Sequence, residues 1–386
     1  MNNAEKIAAI RRELPATQAG VYLNTGSCGP VSRAVGDTMR AVAERELTGG
    51  RIAPNAWPDY IAALGDLRGH YARLLGADQD EIALTHHTTD GMNIGIWGLD
   101  WRPGDELITT NNEHEGGLMP AFNVARRLGV VVKVVDIGLG DGDVVALLQA
   151  AMTPRTRLIS LSHVSWMSGA RLPLEAITAM AHRQGALVLV DGAQSVGAIP
   201  LDVHALGADM YTATGQKWLC GPEGVGALYV RRAAQEQVQP TYAGYASIYP
   251  DMEYDYQGNF RLSESASRYE LGTSSRPANL AMLAGLRWLD EDVTWPWAHA
   301  RIATLSDLAS EMLSDLPGVT VLTPPSHAGL ISFTVDGQPA DAVVARVAER
   351  GVWIRWLPKR GWLRVSTGFF NTEDDLNALC DALRAV

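Results

Sequence analysis

Between residues 82 and 230 the sequence alternates short apolar runs with amphipathic helical stretches, and that rhythm restricts the fold more than any other feature. Strand-like runs fall at 82–85, 105–110, 130–135, 157–163, 186–190, 209–212 and 226–230. Helical periodicity fills gaps between them at 118–128, 144–152 and 174–184, and an apolar helix opens after the polar residues His87-Thr88-Thr89-Asp90. Strands alternating with helices predict an α/β fold with a mainly parallel sheet covered on both faces. In such sheets ligands sit beyond the carboxyl ends of the strands, in the loops that follow them.

The flanking sequence has a different texture. A helix is expected at 4–14, a short strand at 21–24, a turn-rich loop at 25–30, and helices at 35–47 and 57–75. Residues 242–267 are rich in Tyr, Gly, Asp and Glu with weak periodicity, which predicts an irregular excursion. A strong helix follows at 279–289, and Trp295-Pro296-Trp297 is a candidate domain boundary. Beyond it, helices at 298–313, 340–350 and 372–385 interleave with strands at 319–322, 329–335, 353–356 and 362–366, a smaller α+β unit. At 386 residues, 47% of them hydrophobic, the chain can bury a sizeable core in two such domains.

Charge and cysteine content exclude several function classes. A net charge of −11 repels phosphate backbones and anionic lipid, so neither nucleic acid nor a membrane surface is an expected partner. No apolar run approaches the roughly 20 residues of a membrane span. The mixed charges of the first 13 residues do not resemble a signal peptide. Cys28, Cys220 and Cys380 are few, scattered and odd in number, which fits neither a disulfide framework nor a zinc site. A reducing, cytoplasmic setting is expected. The stretch Ile137 to Asp143 is only faintly like a calcium loop, lacks its closing Glu and reads as a solvated turn.

Two stretches carry the chemistry. Lys217 lies in Thr214-Gly215-Gln216-Lys217-Trp218-Leu219-Cys220-Gly221, among glycines and apolar residues, and Asp191 ends the apolar run 186–190. A confined lysine has a lowered pKa and offers a free amine for a Schiff base. A carboxylate at a strand end can keep a pyridine nitrogen protonated, so that the ring acts as an electron sink. Alone, the lysine is as compatible with a surface charge and the aspartate with a structural acid; the pair predicts a pyridoxal 5′-phosphate (PLP) site. The helix opening at His87-Thr88-Thr89 can hold a phosphate at its positive end or be an ordinary cap. His114 can stack on a cofactor ring or be a loop residue.

These residues carry a resemblance. The chain is similar to fold-type I PLP enzymes of the class V aminotransferase and cysteine desulfurase group, from Asn24 to the last helix, with Val190-Asp191-Gly192-Ala193-Gln194-Ser195 and the glycine-flanked Lys217 as its most specific marks. The resemblance implies a large domain at 16–294 with a seven-stranded-type sheet, and a small domain formed by 1–15 and 295–386. It implies a phosphate cup at Thr88 and Thr89, with Thr214 and Gln216 also on the cofactor side. It makes His114 the ring-stacking residue and Gln194 a contact to the cofactor's 3′ oxygen. Thr273 would reach the phosphate of a neighbouring subunit in a homodimer with shared active sites. Arg364 would grip the substrate carboxylate, and Asn24 would lie on the substrate side. Gln216 departs from the histidine usual before the lysine.

Within the group the nearest branch is the L-cysteine/cystine C–S lyases, with Trp97 to Trp101, Ser162 to Trp166 and Gly329 to Asp336 among the matching segments; the isopenicillin N epimerase-like branch is also near. Residues 351–364 hold no cysteine where persulfide-transferring desulfurases carry one. The expected activity is a C–S β-lyase acting on L-cysteine, cystine or an S-substituted cysteine and releasing a thiol or persulfide, pyruvate and ammonia. Trp166, Tyr242 and Tyr245 are expected as aromatic walls around the sulfur substituent, suiting a bulky conjugate of specialised metabolism. Decarboxylation with oxidative deamination, transamination and epimerisation are alternatives on the same cofactor. Less expected are a desulfurase and a non-catalytic PLP-fold protein.

Overall fold

A computed structural model describes residues 2–386, so that Met1 of the expected N-terminal segment lies outside the described residues. Among the described residues thirteen strands occur in chain order: β1 (Val21–Tyr22), β2 (Ile82–Thr85), β3 (Glu106–Thr110), β4 (Val131–Val135), β5 (Thr156–Ser162), β6 (Leu187–Asp191), β7 (Met210–Thr214), β8 (Gly226–Val230), β9 (Val319–Val321), β10 (Leu330–Val335), β11 (Val352–Trp353), β12 (Arg355–Leu357) and β13 (Trp362–Ser366).

The central sheet has seven strands in the order β2-β8-β7-β6-β5-β3-β4. It is mainly parallel; β8 runs antiparallel to both of its neighbours. Strand β6 shows why the sheet lies in the middle. Leu187 and Leu189 pack into one apolar cluster, Val188 and Val190 into another, so the period of two feeds two buried faces. The helix Thr88–Trp97 covers one face through Met92, Ile94 and Ile96, while Leu174–Arg183 covers the other through Ile177 and Met180.

A second sheet, β12-β13-β10-β9, is antiparallel and packs with the helices Trp295–Ser314, Ala340–Glu349 and Glu373–Arg384 around a third cluster. Trp295-Pro296-Trp297 forms the first turn of one of these helices. Pro296 is accommodated there because the first turn needs no N–H. The preceding Thr294 has φ 65°, which bends the chain at the expected boundary.

The strand expected at 21–24 is shorter and pairs far away in sequence. Val21 and Tyr22 align in parallel with Val352 and Trp353, and Asn24 bridges Ser366. Leu23 is buried in the C-terminal cluster. The loop that follows therefore starts at the C-terminal sheet and crosses to the lysine loop, where Gly29 N–H donates to the Gln216 carbonyl at 2.7 Å. The approach is so close that a Cβ on Gly29 would lie 2.1 Å from the Lys217 carbonyl oxygen. The helix expected at 118–128 begins earlier, at Glu115, because the imidazole of His114 caps it and offsets the two glycines of its first turn. No helix among the described residues is long and apolar enough to cross a membrane.

Candidate active site

The carboxyl ends of the parallel strands converge on one cavity of about 420 Å³. Asp191 is the last residue of β6, Ser162 the last of β5 and Thr214 the last of β7, three residues before Lys217. His114 follows β3 by four residues, and Thr88 opens the helix after β2. All five positions, with Lys217, line the cavity, as do Gly26, Ser27, His87, Thr89, Trp166, Gln194, Gln216, Arg355 and Arg364. Residues far apart in the chain meet because each follows a strand end at the same edge of a sheet, or lies in the second sheet facing that edge.

Lys217 is enclosed, and burial drives its amine from the usual 10.5 down to about 8; the charge of Asp191 opposes that fall and that of Arg364 adds to it. Asp191 is 6% exposed and takes the backbone N–H of Ala193 at 2.9 Å. The sequence-predicted pair thus meets in one cavity, a primary amine poised to lose its proton beside a carboxylate held at a strand end.

In the wall of the same cavity, Thr88 is buried and its hydroxyl has no partner. It stands in the first turn of the helix Thr88–Trp97, capped by His87, whose Nδ1 accepts the Asp90 N–H at 3.1 Å. An orphaned hydroxyl at the positive end of a helix fits a phosphate. The Gln216 side-chain oxygen accepts a hydrogen bond from the Thr214 hydroxyl, which leaves its amide N–H groups to face an anion. These residues fit PLP: donors for an anion, a primary amine and an acid for the ring nitrogen line one cavity.

His114 serves two roles in the structure. Its Nδ1 accepts the Gly116 N–H at 3.0 Å, and its ring stands edge-on to Trp166 with centroids 5.0 Å apart. Burial is the main cause that lowers its pKa, and the nearby Lys217 charge adds to it. Gln194 is 4% exposed and already engaged: its amide donates to the Gly26 carbonyl at 2.9 Å, and its oxygen accepts the Trp218 indole N–H at 3.0 Å. One N–H is left to turn toward a ligand.

Arg364 is fully buried in β13, with one arm on the Trp166 carbonyl at 2.6 Å and another on the Ser27 hydroxyl at 3.3 Å. Its Nε has no partner. Burial, and secondarily the charge of Arg355, pull its pKa down to about 9. Asn24 does not line the cavity; its side-chain oxygen accepts the Ser27 hydroxyl at 2.7 Å, so it acts on the arginines at one remove.

Sequence reasoning missed Arg355 and Glu113. Arg355 lines the cavity from β12, donates to Ser27 at 3.0 Å and leans over the Trp166 ring at 5.9 Å. No local sequence signal marks it, since an arginine between apolar residues on a short strand is ordinarily a solvated charge. Glu113 is buried, accepting Thr110 at 2.6 Å and both the N–H and hydroxyl of Ser162 at 2.8 and 2.5 Å. Burial pushes its carboxyl up to about 7, with the Asp191 charge contributing.

The chain does not bring Tyr242, Tyr245 or Thr273 to Lys217. Tyr242 is 71% exposed, while Tyr245 and Thr273 share a hydrogen bond at 3.1 Å beside a separate cavity of about 750 Å³. The two tyrosines therefore do not wall the sulfur side of their own chain's site, as the sequence suggested. They belong to the 242–267 excursion, which is held to the body at its base and leaves Tyr254, Tyr256 and Phe260 in water. Of the three cysteines, Cys220 and Cys380 are buried and Cys28 is exposed on the loop next to Ser27. The Asp78, Glu81 and His204 side chains cluster elsewhere, where Glu81 already takes His204 Nε2 at 2.6 Å and two backbone N–H groups, the pattern of a satisfied carboxylate.

Known proteins resemble the chain in sequence and fold. The chain is 30% identical to the isopenicillin N epimerase of Streptomyces clavuligerus over 95% of its own length and 94% of that protein. It is 29% identical, over 84% of its length, to a probable cysteine desulfurase of Mycolicibacterium paratuberculosis strain K-10, of which it spans 49%, about half. Among solved structures it superposes on the cystine C-S lyase C-DES in complex with its reaction product cysteine persulfide, with a TM-score of 0.90, 32% identity and coverage of 96% and 98% of the two chains. A lysine-to-alanine mutant of the same lyase, with glycine covalently linked to the PLP cofactor, gives a TM-score of 0.91 at 31% identity and 97% and 98% coverage. Residues 22–379 match the family Aminotransferase class-V, so the chain belongs to the class-V aminotransferases and is a PLP-dependent enzyme.

Proposed function

We propose that the protein is a C–S β-lyase: with water, an S-substituted L-cysteine, cystine or L-cysteine itself gives the thiol, persulfide or sulfide together with pyruvate and ammonia. The observation that carries this reading is the hairpin formed by β12 and β13. It brings two arginines to the cavity and no thiol, and in its turn the exposed Lys359 amine meets Glu115 beside His114 at 2.7 Å. A desulfurase needs a thiolate to attack the substrate sulfur. Cys220 and Cys380 are buried, and burial raises the Cys28 thiol above its usual pKa. A lyase needs no such group. The likeness to a cystine C–S lyase over nearly the whole chain supports the same reading.

When bound, PLP supplies an electrophilic carbon for the substrate amine and a ring that accepts the electron pair left at Cα. Lys217 Nζ would hold the cofactor and would take the Cα proton as general base. Its pKa near 8 suits both roles, since a neutral amine is available near neutral pH. Asp191 accepts the ring N–H. Thr88, Thr89, Gln216 and the helix N-terminus would hold the phosphate, and His114 would lie against the ring. Arg364, a cation in the cavity wall with an unpartnered Nε, would pair with the α-carboxylate.

Incubation with L-cystine and S-substituted cysteines is expected to release pyruvate and ammonia in equal amounts. Turnover without pyruvate, dependence on a keto acid, or oxygen uptake would remove the lyase assignment. The full-length likeness to an isopenicillin N epimerase favours one second reading, reprotonation at Cα; chiral analysis of recovered amino acid would show it as racemised substrate with no sulfur released. We also infer a homodimer, because Tyr245 and Thr273 are exposed and line a cavity other than that of their own Lys217. Mixing Lys217→Ala with Thr273→Ala protein is expected to restore one intact site per hybrid dimer; no recovery on mixing argues against shared sites. The cytoplasm is the compartment we assign, on the free thiols.

A further inference from the structure

Asp191 is not alone among buried carboxyl groups at this edge of the sheet. It lines the cavity, while Glu113 is buried within reach of its charge without lining it. Glu113 follows β3 and joins that strand to β5. Its Oε1 lies 2.6 Å from the Thr110 hydroxyl, and its Oε2 takes the N–H and the hydroxyl of Ser162 at 2.8 and 2.5 Å. Ser162 in turn pairs with Asp191 in the parallel β5–β6 register and lines the cavity. The next residue, His114, caps the helix Glu115–Leu128. One side chain therefore ties the loop that carries His114 to the strand end beside Asp191.

The bonding pattern fixes where a proton would sit. Oε2 faces a backbone N–H, which can only donate, so Oε2 is the accepting oxygen. The proton belongs on Oε1, opposite a hydroxyl that can either donate or accept. All three hydrogen-bonding groups on the carboxyl are uncharged, and the charge that acts on it is the anion Asp191. A buried carboxyl with an anion nearby and no cation favours its neutral form. Burial first, with Asp191 adding to it, brings its pKa to about 7.

The other titratable groups around it are engaged. On β5, His163 is drawn down to about 3, chiefly by burial, and its Nδ1 lies 2.9 Å from the Tyr211 hydroxyl. Glu115, opening the next helix, meets Lys359. Asp136, after β4, takes the Asn111 amide, and Asp90, on the helix Thr88–Trp97, meets His86. The charges of Lys217 and Arg355 act on the neighbouring His114.

We propose that Glu113 is a positioning residue of the cofactor site, which as a neutral acid clamps Ser162 and the His114 loop and leaves Asp191 the one negative charge of that corner, and which on losing its proton sets a second negative charge behind Asp191. A second anion there favours the protonated forms of bound PLP, and the visible absorption of PLP reports its protonation. Glu113 acts on the cofactor site whichever reaction follows, so its role stands apart from the lyase reading.

The PLP-loaded enzyme is titrated across the pH range around 7 while its visible absorption and its infrared carbonyl bands are followed. The parent is expected to show an inflection near 7 in the absorption, with loss of a protonated-carboxyl band over the same range. Glu113→Gln keeps an accepting oxygen for Ser162 and turns an amide N–H toward Thr110. It should retain PLP, match the parent's acid-side spectrum throughout and lack both signals. Ser162→Ala removes a donor that favours the ionised form, so the inflection should move to higher pH. An inflection kept in Glu113→Gln, an acid-side spectrum that differs between parent and Gln variant, or an inflection unmoved in Ser162→Ala would each overturn the role. So would a parent that loses no carboxyl band, and that signal and Ser162→Ala decide the matter even where Glu113→Gln does not fold.

Discussion

Arg355 and Arg364 face each other across the antiparallel pair β12–β13, and both guanidiniums donate to the single hydroxyl of Ser27. That hydroxyl in turn donates to Asn24 at 2.7 Å. The loop from Asn24 to Gly29 thus connects the arginine pair of the second sheet to the lysine loop of the first. Substrate grip and cofactor attachment share one short segment of backbone.

Ser27→Ala removes the acceptor common to both arginines. We expect kcat/KM on cystine to fall roughly 10- to 100-fold, the worth of a hydrogen bond to a charged group, mostly through KM. Asn24→Ala, one bond further back, should cost less. Steady-state kinetics of the two variants checks the order; a larger loss for Asn24→Ala would mean that Asn24 touches the substrate itself.

The amine of Lys217 is lowered to about 8, chiefly by burial. Cofactor-free protein should therefore combine with PLP at a rate that climbs up to about pH 8 and levels above it. Stopped-flow absorbance between pH 6 and 10 measures this. A rate still climbing at pH 10 would show an ordinary, solvated lysine.

Glu113 titrates near 7 in the folded protein against 4.5 for a free glutamate, with burial as the main cause. Between those values the folded chain holds a proton that the unfolded chain has lost. Its contribution to stability is fully present below about 4.5 and is lost as pH rises through 7. Glu113→Gln keeps the contacts to Ser162 and Thr110 without the charge. The variant's melting temperature, relative to the parent, is expected to rise between pH 5 and 8; a difference constant with pH would place the titration elsewhere.

Gly29→Ala would drive a methyl group to 2.1 Å from the Lys217 carbonyl oxygen, so the lysine loop must move. We expect a loss of about 1–3 kcal/mol in stability, the range for overpacking, together with weaker retention of PLP. Chemical denaturation and dialysis against cofactor-free buffer read the two effects separately. An unchanged stability would show that the loop yields freely.

Much of the architecture was legible from residue order. Apolar runs with period-two burial on both faces, as in Leu187 to Val190, specify an interior parallel strand, and a charged residue closing such a run, as Asp191 does, has to lie at the sheet edge where ligands bind. Confinement of Lys217 by its glycines was legible for the same local reason, and with Asp191 it specified the cofactor. Local pattern could not reveal Arg355, because an arginine on a strand is ordinarily a solvated charge; only the pairing of β12 with β13 sets it opposite Arg364 and over Trp166. Nor could it place Tyr242, Tyr245 and Asn24, whose positions depend on where distant segments pack. Sequence alone determined the strands, their polarity of burial and the identity of the reactive groups, since these follow from short-range periodicity and side-chain chemistry. Which groups share a cavity, how far burial moves their proton affinities, and which donors remain without partners were decided only by the tertiary structure, because each depends on contacts between residues far apart along the chain.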